Sequence, residues 1–145
     1  MNAKLVLLVE DNPDEVLLAR RAVHSGAFAH QLVVAGDGSE ALDLLFATGP
    51  HAGQVPLRPH LILLDLNLPR VAGLTVLRRL RAAPTTALLP VVVLTSSQEE
   101  HDLLSSYALG ANSYIRKPVN YQQFVEALRH LEAYWLTLNE APPPA

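Results

Sequence analysis

Lys4-Leu5-Val6-Leu7-Leu8-Val9-Glu10-Asp11-Asn12-Pro13 is an apolar run broken by two acids and then by a helix start. Lys4 to Val9 reads as a strand buried on both faces, since a near-continuous apolar run marks a strand of a parallel sheet. Asn12 can cap a helix, Pro13 fits its first position and Glu15 completes a capping box. A buried strand running straight into a helix is the opening of a βαβ unit. The same pattern recurs along the chain.

The first helix is expected to run to about Ser25, with Gly26 as its stop. Gln31 to Ala35 is a second strand, Gly36-Asp37-Gly38 a turn, and Ser39 the cap of a helix ending at Gly49. Pro50 to Pro59, with three prolines and a glycine, is a long surface loop. His60 to Leu64 is the third strand, and Gly73 opens a helix with Val76, Leu77 and Leu80 inward that Pro84 ends. Val91 to Leu94 has no polar residue and belongs inside the sheet. Gln98 to Leu109 is helical, Ser113 to Arg116 is the fifth strand, and the last helix starts near Asn120. Alternation of this kind predicts an α/β fold: a doubly wound five-stranded parallel sheet with five helices on its two faces and right-handed crossovers. Residues 1–139 form one domain with an extended C-terminal helix, and 140–145 a Pro-rich tail that is disordered or extended.

The bulk numbers fit this reading. The chain has 145 residues, half of them apolar and 17% charged, which suits one well-buried domain. A net charge of -3 and no Lys/Arg run beyond Arg78-Arg79-Leu80-Arg81 argue against nucleic acid as a partner. No cysteine is present, so thiol catalysis and Cys-based metal sites are excluded. The six histidines show no zinc spacing. No apolar run is long enough for a membrane span, and a cytoplasmic location is expected.

In an open parallel sheet the carboxyl ends of the strands converge on one crevice, which is where ligands bind. Here those ends carry Glu10, Asp11, Asp65, Thr95 and Lys117. Adjacent acids after a buried strand repel each other unless a cation joins them, and Mg2+, hard and oxygen-liganded, suits them. Asp65, in Leu63-Leu64-Asp65-Leu66-Asn67-Leu68-Pro69, can act as a nucleophile toward a phosphoryl group. Mg2+ on Asp11 and Asp65, with the Asn67 backbone carbonyl as a further ligand, would supply charge neutralisation. Thr95 offers a hydroxyl and Lys117, before Pro118, an ammonium; a cis Lys117-Pro118 bond would aim that ammonium into the crevice. Taken singly, each has a plainer reading: acids favoured at a helix N-terminus, a turn aspartate, a surface lysine. Asp14 is read as one such helix-favouring acid.

Taken together, Glu10-Asp11, Asp65 with Pro69 and Gly73, Thr95-Ser96 and Lys117-Pro118 resemble the receiver domain of two-component response regulators, over residues 4 to about 132. The resemblance implies a flavodoxin-like strand order 2-1-3-4-5. It implies Asp65 as phospho-acceptor, Glu10 and Asp11 as the acidic pair of a Mg2+ site, and Thr95 and Lys117 as holders of the phosphoryl oxygens. Tyr114 matches the aromatic switch position. Such a domain catalyses only its own phosphorylation and dephosphorylation and is not otherwise an enzyme. Glu10-Asp11-Asn12-Pro13-Asp14, the long loop before the third strand, and Tyr134-Trp135-Leu136 are similar to small single-domain regulators paired with phytochrome-type histidine kinases. The resemblance thus implies a sensor kinase upstream and, with no output domain following, signalling by protein contact or phosphorelay to an unknown downstream protein.

Three other expectations stand beside this one. A haloacid-dehalogenase-like phosphatase also pairs an Asp nucleophile with Mg2+, but wants an acid where Asn67 stands. Gly36-Asp37-Gly38-Ser39-Glu40-Ala41 fits a loose dinucleotide pattern, yet follows the second strand instead of the first. Lastly, Phe124, Leu128, Leu131, Trp135 and Leu138 fall on one face of the last helix, and that apolar stripe is expected to form a homodimer surface.

Overall fold

The computed structural model describes residues 4–24 and 30–143. Its strands are β1 (Lys4–Val9), β2 (His30–Ala35), β3 (Leu61–Leu64), β4 (Val91–Thr95) and β5 (Ser113–Arg116). They pair in parallel in the order β2-β1-β3-β4-β5. Between and after them lie α1 (Pro13–His24), α2 (Gly38–Phe46), α3 (Gly73–Ala82), α4 (Glu100–Ala108) and α5 (Tyr121–Ala133). The expected order and helix count are therefore both present. The stop expected at Gly26 lies outside the described residues.

Strand pleating explains the two cores. Successive side chains point to opposite faces, so Leu7, Val9, Ile62, Leu64, Val91 and Val93 pack with α2 and α3. Their neighbours Val6, Leu8, Leu61, Leu63, Val92 and Leu94 pack with α1 and α5. β3 and β4 are buried along their whole length, as their unbroken apolar sequences require.

Several boundaries differ from the sequence reading for identifiable reasons. The α2 cap is Asp37, whose carboxylate accepts the Glu40 N–H at 2.8 Å; Ser39 already lies inside the helix. That helix ends at Ala47, in the left-handed region at φ 55, and not at Gly49, which instead begins a short 3-10 turn at Gly49–His51. The expected surface loop after it is anchored by Arg58, which donates to the carbonyls of Leu45 and Leu57. Toward the β5 edge of the sheet Arg81 donates to the carbonyls of Gly110 and Ala87 and to the Asn112 side chain, tying α3 to the β5 approach. Of the tail, Ala141, Pro142 and Pro143 lie back on the fold and help line a cavity of about 280 Å3 with Pro59, Leu88 and Pro90.

The C-terminal helix corrects the expected docking stripe. Phe124, Leu128 and Leu131 are 5%, 2% and 7% exposed and belong to the chain's own core, so they are not a surface. Past Ala133 the backbone widens into a π turn, Tyr134–Leu138. One extra residue per turn rotates the stripe: Leu136 becomes buried, Trp135 only part-buried, and Leu138 is left 76% exposed. No helix of the described residues is long and apolar enough to cross a membrane.

Candidate functional site

The last rung of each ladder sets the site residues in place. The Glu10 N–H donates to the Ala35 carbonyl at 3.0 Å, Asp65 to Val9 at 3.1 Å and Lys117 to Thr95 at 2.7 Å. Each pairing extends a strand by one residue, so the side chains that follow project from a rigid edge. Asp65 is also backed by Gly73, whose N–H donates to the Leu66 carbonyl at 3.0 Å and closes the turn beneath it.

Four of the five strand-end residues converge. The Lys117 ammonium lies 2.6 Å from Glu10, 2.9 Å from Glu15 and 3.2 Å from Asp65. Carboxylate oxygens of Glu10, Asp11 and Asp65 lie within 4.8 Å of one another. Glu10, Asp11, Asn12, Asp65, Asn67 and Lys117 line one open cavity of about 560 Å3. Lys117 reaches it without a cis bond, since no peptide bond among the described residues is cis.

Thr95, fully buried, points into a second set of contacts. Its hydroxyl accepts the Ser97 N–H at 3.3 Å, and the Tyr114 hydroxyl donates to the Ser97 carbonyl at 3.4 Å. The Ser97 hydroxyl donates to Asp102 of α4 at 2.5 Å. Thr95, Tyr114 and α4 are thereby joined through one serine.

The electrostatics follow from burial. Desolvation pushes Glu10 up to about 7 from its ordinary 4.5; Lys117 opposes this and Asp65 adds to it. Lys117 is raised above its ordinary value, because Glu10, Asp65 and Glu15 outweigh its own desolvation. Three carboxylates around one ammonium leave a surplus of negative charge. A hard divalent cation fits that surplus: the donors are all carboxylate oxygens, close-set, with Asp11 exposed at the mouth.

Two groups at this site were not legible as such. Glu15 does not complete a capping box; its carboxylate is spent on Lys117, while Glu10 accepts the Asn12 N–H at 3.1 Å. Asn12 does cap α1, accepting from Asp14 and Glu15. Asp102, the partner of Ser97, carries no local signal beyond a helix-start acid.

A five-stranded 2-1-3-4-5 sheet with acids, a threonine and a lysine at its carboxyl edge defines a class, and comparison with known proteins agrees. Residues 6–129 match the family model for the response regulator receiver domain, and the chain belongs to that family. It is 36% identical to response regulator Rcp1 of Synechocystis sp. over 133 residues, 92% of this chain and 89% of that protein. It superposes on the crystal structure of the phosphorylated cyanobacterial phytochrome response regulator RcpA with a TM-score of 0.92, at 38% identity, covering 98% of this chain and all of that one. The Mn(2+)-bound form of Rcp1 matches at 0.90 and 35% identity, over 97% and 99% of the two chains. These relatives are signalling proteins, and the haloacid-dehalogenase-like alternative finds no support among them.

Proposed function

We propose that this receiver takes a phosphoryl group from a phosphohistidine of a sensor histidine kinase onto a carboxylate oxygen of Asp65. The O–P bond forms as the P–N bond breaks, and the departing imidazole takes up a proton from solvent. One observation carries the reading: a buried aspartate at a strand end within 3.2 Å of a buried lysine and inside a three-carboxylate cluster. Glu10, Asp11 and Asp65, with the Asn67 backbone carbonyl, are the residues that would hold Mg2+, which when bound offsets charge on the phosphoryl oxygens. Lys117 then meets one phosphoryl oxygen and the Thr95 hydroxyl another. When Thr95 turns to the phosphoryl group, its contact with Ser97 is lost, and Tyr114 and α4 are released to a second arrangement.

Likeness to RcpA and Rcp1 supports a phytochrome-type kinase as the donor and a downstream protein as the reader. Of the last-helix stripe, Trp135 and Leu138 are what remains to carry a homodimer contact. The test of function is the intact mass of the protein after incubation with a small-molecule phosphodonor. Addition of one phosphoryl group with Mg2+ and none with chelator is the expected result. No addition in either arm would end the reading.

The Glu10 shift predicts a pH dependence. Mg2+ requires the ionised carboxylate, so affinity for Mg2+ tightens as pH rises through about 7. The stability of the metal-free protein moves the other way. Glu10 in the folded form holds its proton above the ordinary 4.5, so stability is lost as pH rises from there to about 7. Calorimetric titration with Mg2+ on either side of neutrality checks the first statement; equal affinities would contradict it.

A further inference from the structure

Lys117 has three N–H donors, and three carboxylates take them: Glu10 at 2.6 Å, Glu15 at 2.9 Å and Asp65 at 3.2 Å. For the ammonium to hold a phosphoryl oxygen, one of these contacts must open. The three are not equivalent. Glu10 and Asp65 lie in the carboxylate cluster with Asp11, and Glu15 does not. A cation in that cluster engages their oxygens, and phosphorylation turns the Asp65 carboxylate into an acyl phosphate, whose carboxyl group no longer carries the charge. Both changes weaken their hold on Lys117, and neither touches Glu15. The Glu15 side chain is also 26% exposed, against 4% for Glu10 and 8% for Asp65. It stands on the first turn of α1 at the rim of the cavity, where its carboxylate can turn to water without uncovering the core.

We propose that Glu15 is a positioning residue of the phosphorylation site, a tether that competes with the incoming phosphoryl group for the Lys117 ammonium; this rests on the reading of Asp65 as acceptor. In the resting site Glu15 keeps Lys117 oriented and neutralised beside Asp65. Phosphorylation exchanges the Glu15 carboxylate for a phosphoryl oxygen on the same N–H. The strength of the Glu15 contact thereby sets part of the barrier to phosphorylation and part of the affinity for any phosphoryl-like group.

The test is Glu15→Gln, which keeps the shape and removes the charge. With Mg2+ saturating for each variant, phosphorylation by a small-molecule phosphodonor, followed by intact mass, is expected to be roughly five- to ten-fold faster than in wild type, the scale of the difference between a charge-assisted hydrogen bond and a neutral one. Binding of beryllofluoride, a noncovalent phosphoryl mimic, should tighten by a similar factor in calorimetry. Asp14→Asn removes the same charge from an exposed residue of the same helical turn that also lines the cavity but is not one of the three carboxylates on Lys117, and is the control for field effects; its gain in both readouts should be clearly smaller than that of Glu15→Gln. Equal gains in Glu15→Gln and Asp14→Asn would overturn the tether in favour of general repulsion. No gain, or a loss, in Glu15→Gln would overturn it outright. Failure of the acceptor reading looks different: the wild type itself takes no phosphoryl group, or Asp65→Ala still does.

Discussion

Asp65→Ala is expected to abolish phosphorylation and, in the absence of divalent cation, to raise the melting temperature. The first half follows from chemistry, since alanine offers no oxygen to form the O–P bond. The second follows from the charge balance at the strand ends. Removing one partner of an isolated buried ion pair costs several kcal/mol, because an uncompensated charge is left behind. Lys117 is not left alone here: Glu10 at 2.6 Å and Glu15 at 2.9 Å remain, and the contact removed is the longest of the three. What disappears is repulsion, because Asp65 is one of the groups that raise Glu10. We expect a net gain of about 1 kcal/mol, roughly 3 °C for a chain of this size. With saturating Mg2+ the order should reverse. The wild type gains stability by mass action, while the variant has lost a ligand. Thermal melts with and without Mg2+ would show the two curves cross. A variant less stable than wild type in chelator would mean that Asp65 is held by more than its partners in this site.

The particular residues show what was legible and what was not. Glu10, Asp65, Thr95 and Lys117 could be placed because each ends an apolar run, and in a parallel sheet that position alone sends a residue to a known edge. Burial of β3 and β4 was legible for the same reason. Glu15 was misread because a carboxylate three residues after Asn12 satisfies a local rule, whereas its actual partner, Lys117, lies 102 residues away. The α2 boundaries slipped because Asp37 and Ser39 are both good caps, and because Ala47 adopts a left-handed conformation usually left to glycine. The last helix misled more seriously. A 3.6-residue period run past Ala133 puts Trp135 and Leu138 in line with Phe124 and Leu128, but the π turn breaks that period. Moreover, no pattern in a helix says whether its apolar face meets the chain's own sheet or another molecule. The Tyr114–Ser97 contact, 17 residues apart in the chain, needed tertiary geometry, and the Ser97–Asp102 contact needed the path of the loop between β4 and α4.

Gly73→Ala is expected to damage both the fold and the site, and the reason is proximity instead of backbone conformation. A Cβ at Gly73 would stand 2.2 Å from the Asp65 carbonyl oxygen, 2.7 Å from the Leu66 Cα and 3.0 Å from the Asp65 carbonyl carbon. All three are backbone atoms, so no side chain can swing aside. Either α3 backs away from the β3 edge, opening the packing of Val76 and Leu77, or the Asp65 backbone moves. Overpacking of this kind costs about 3 kcal/mol, at the upper end of the usual range because backbone must shift. The site suffers separately. Displacing the acceptor by a fraction of an ångström to 1 Å changes its distance to Lys117 and its line to the phosphodonor, and a misplacement of that size can lower a rate by roughly a hundred-fold. Gly36→Ala is the matched control: an added Cβ there meets nothing within 4 Å and the residue has no left-handed φ, so its effect should stay within about 0.5 kcal/mol. Urea denaturation and phosphorylation rates of the two variants separate the cases. If Gly73→Ala kept wild-type stability but lost phosphorylation, the strain would be absorbed at Asp65; if it lost stability but kept the rate, α3 would be the element that yields.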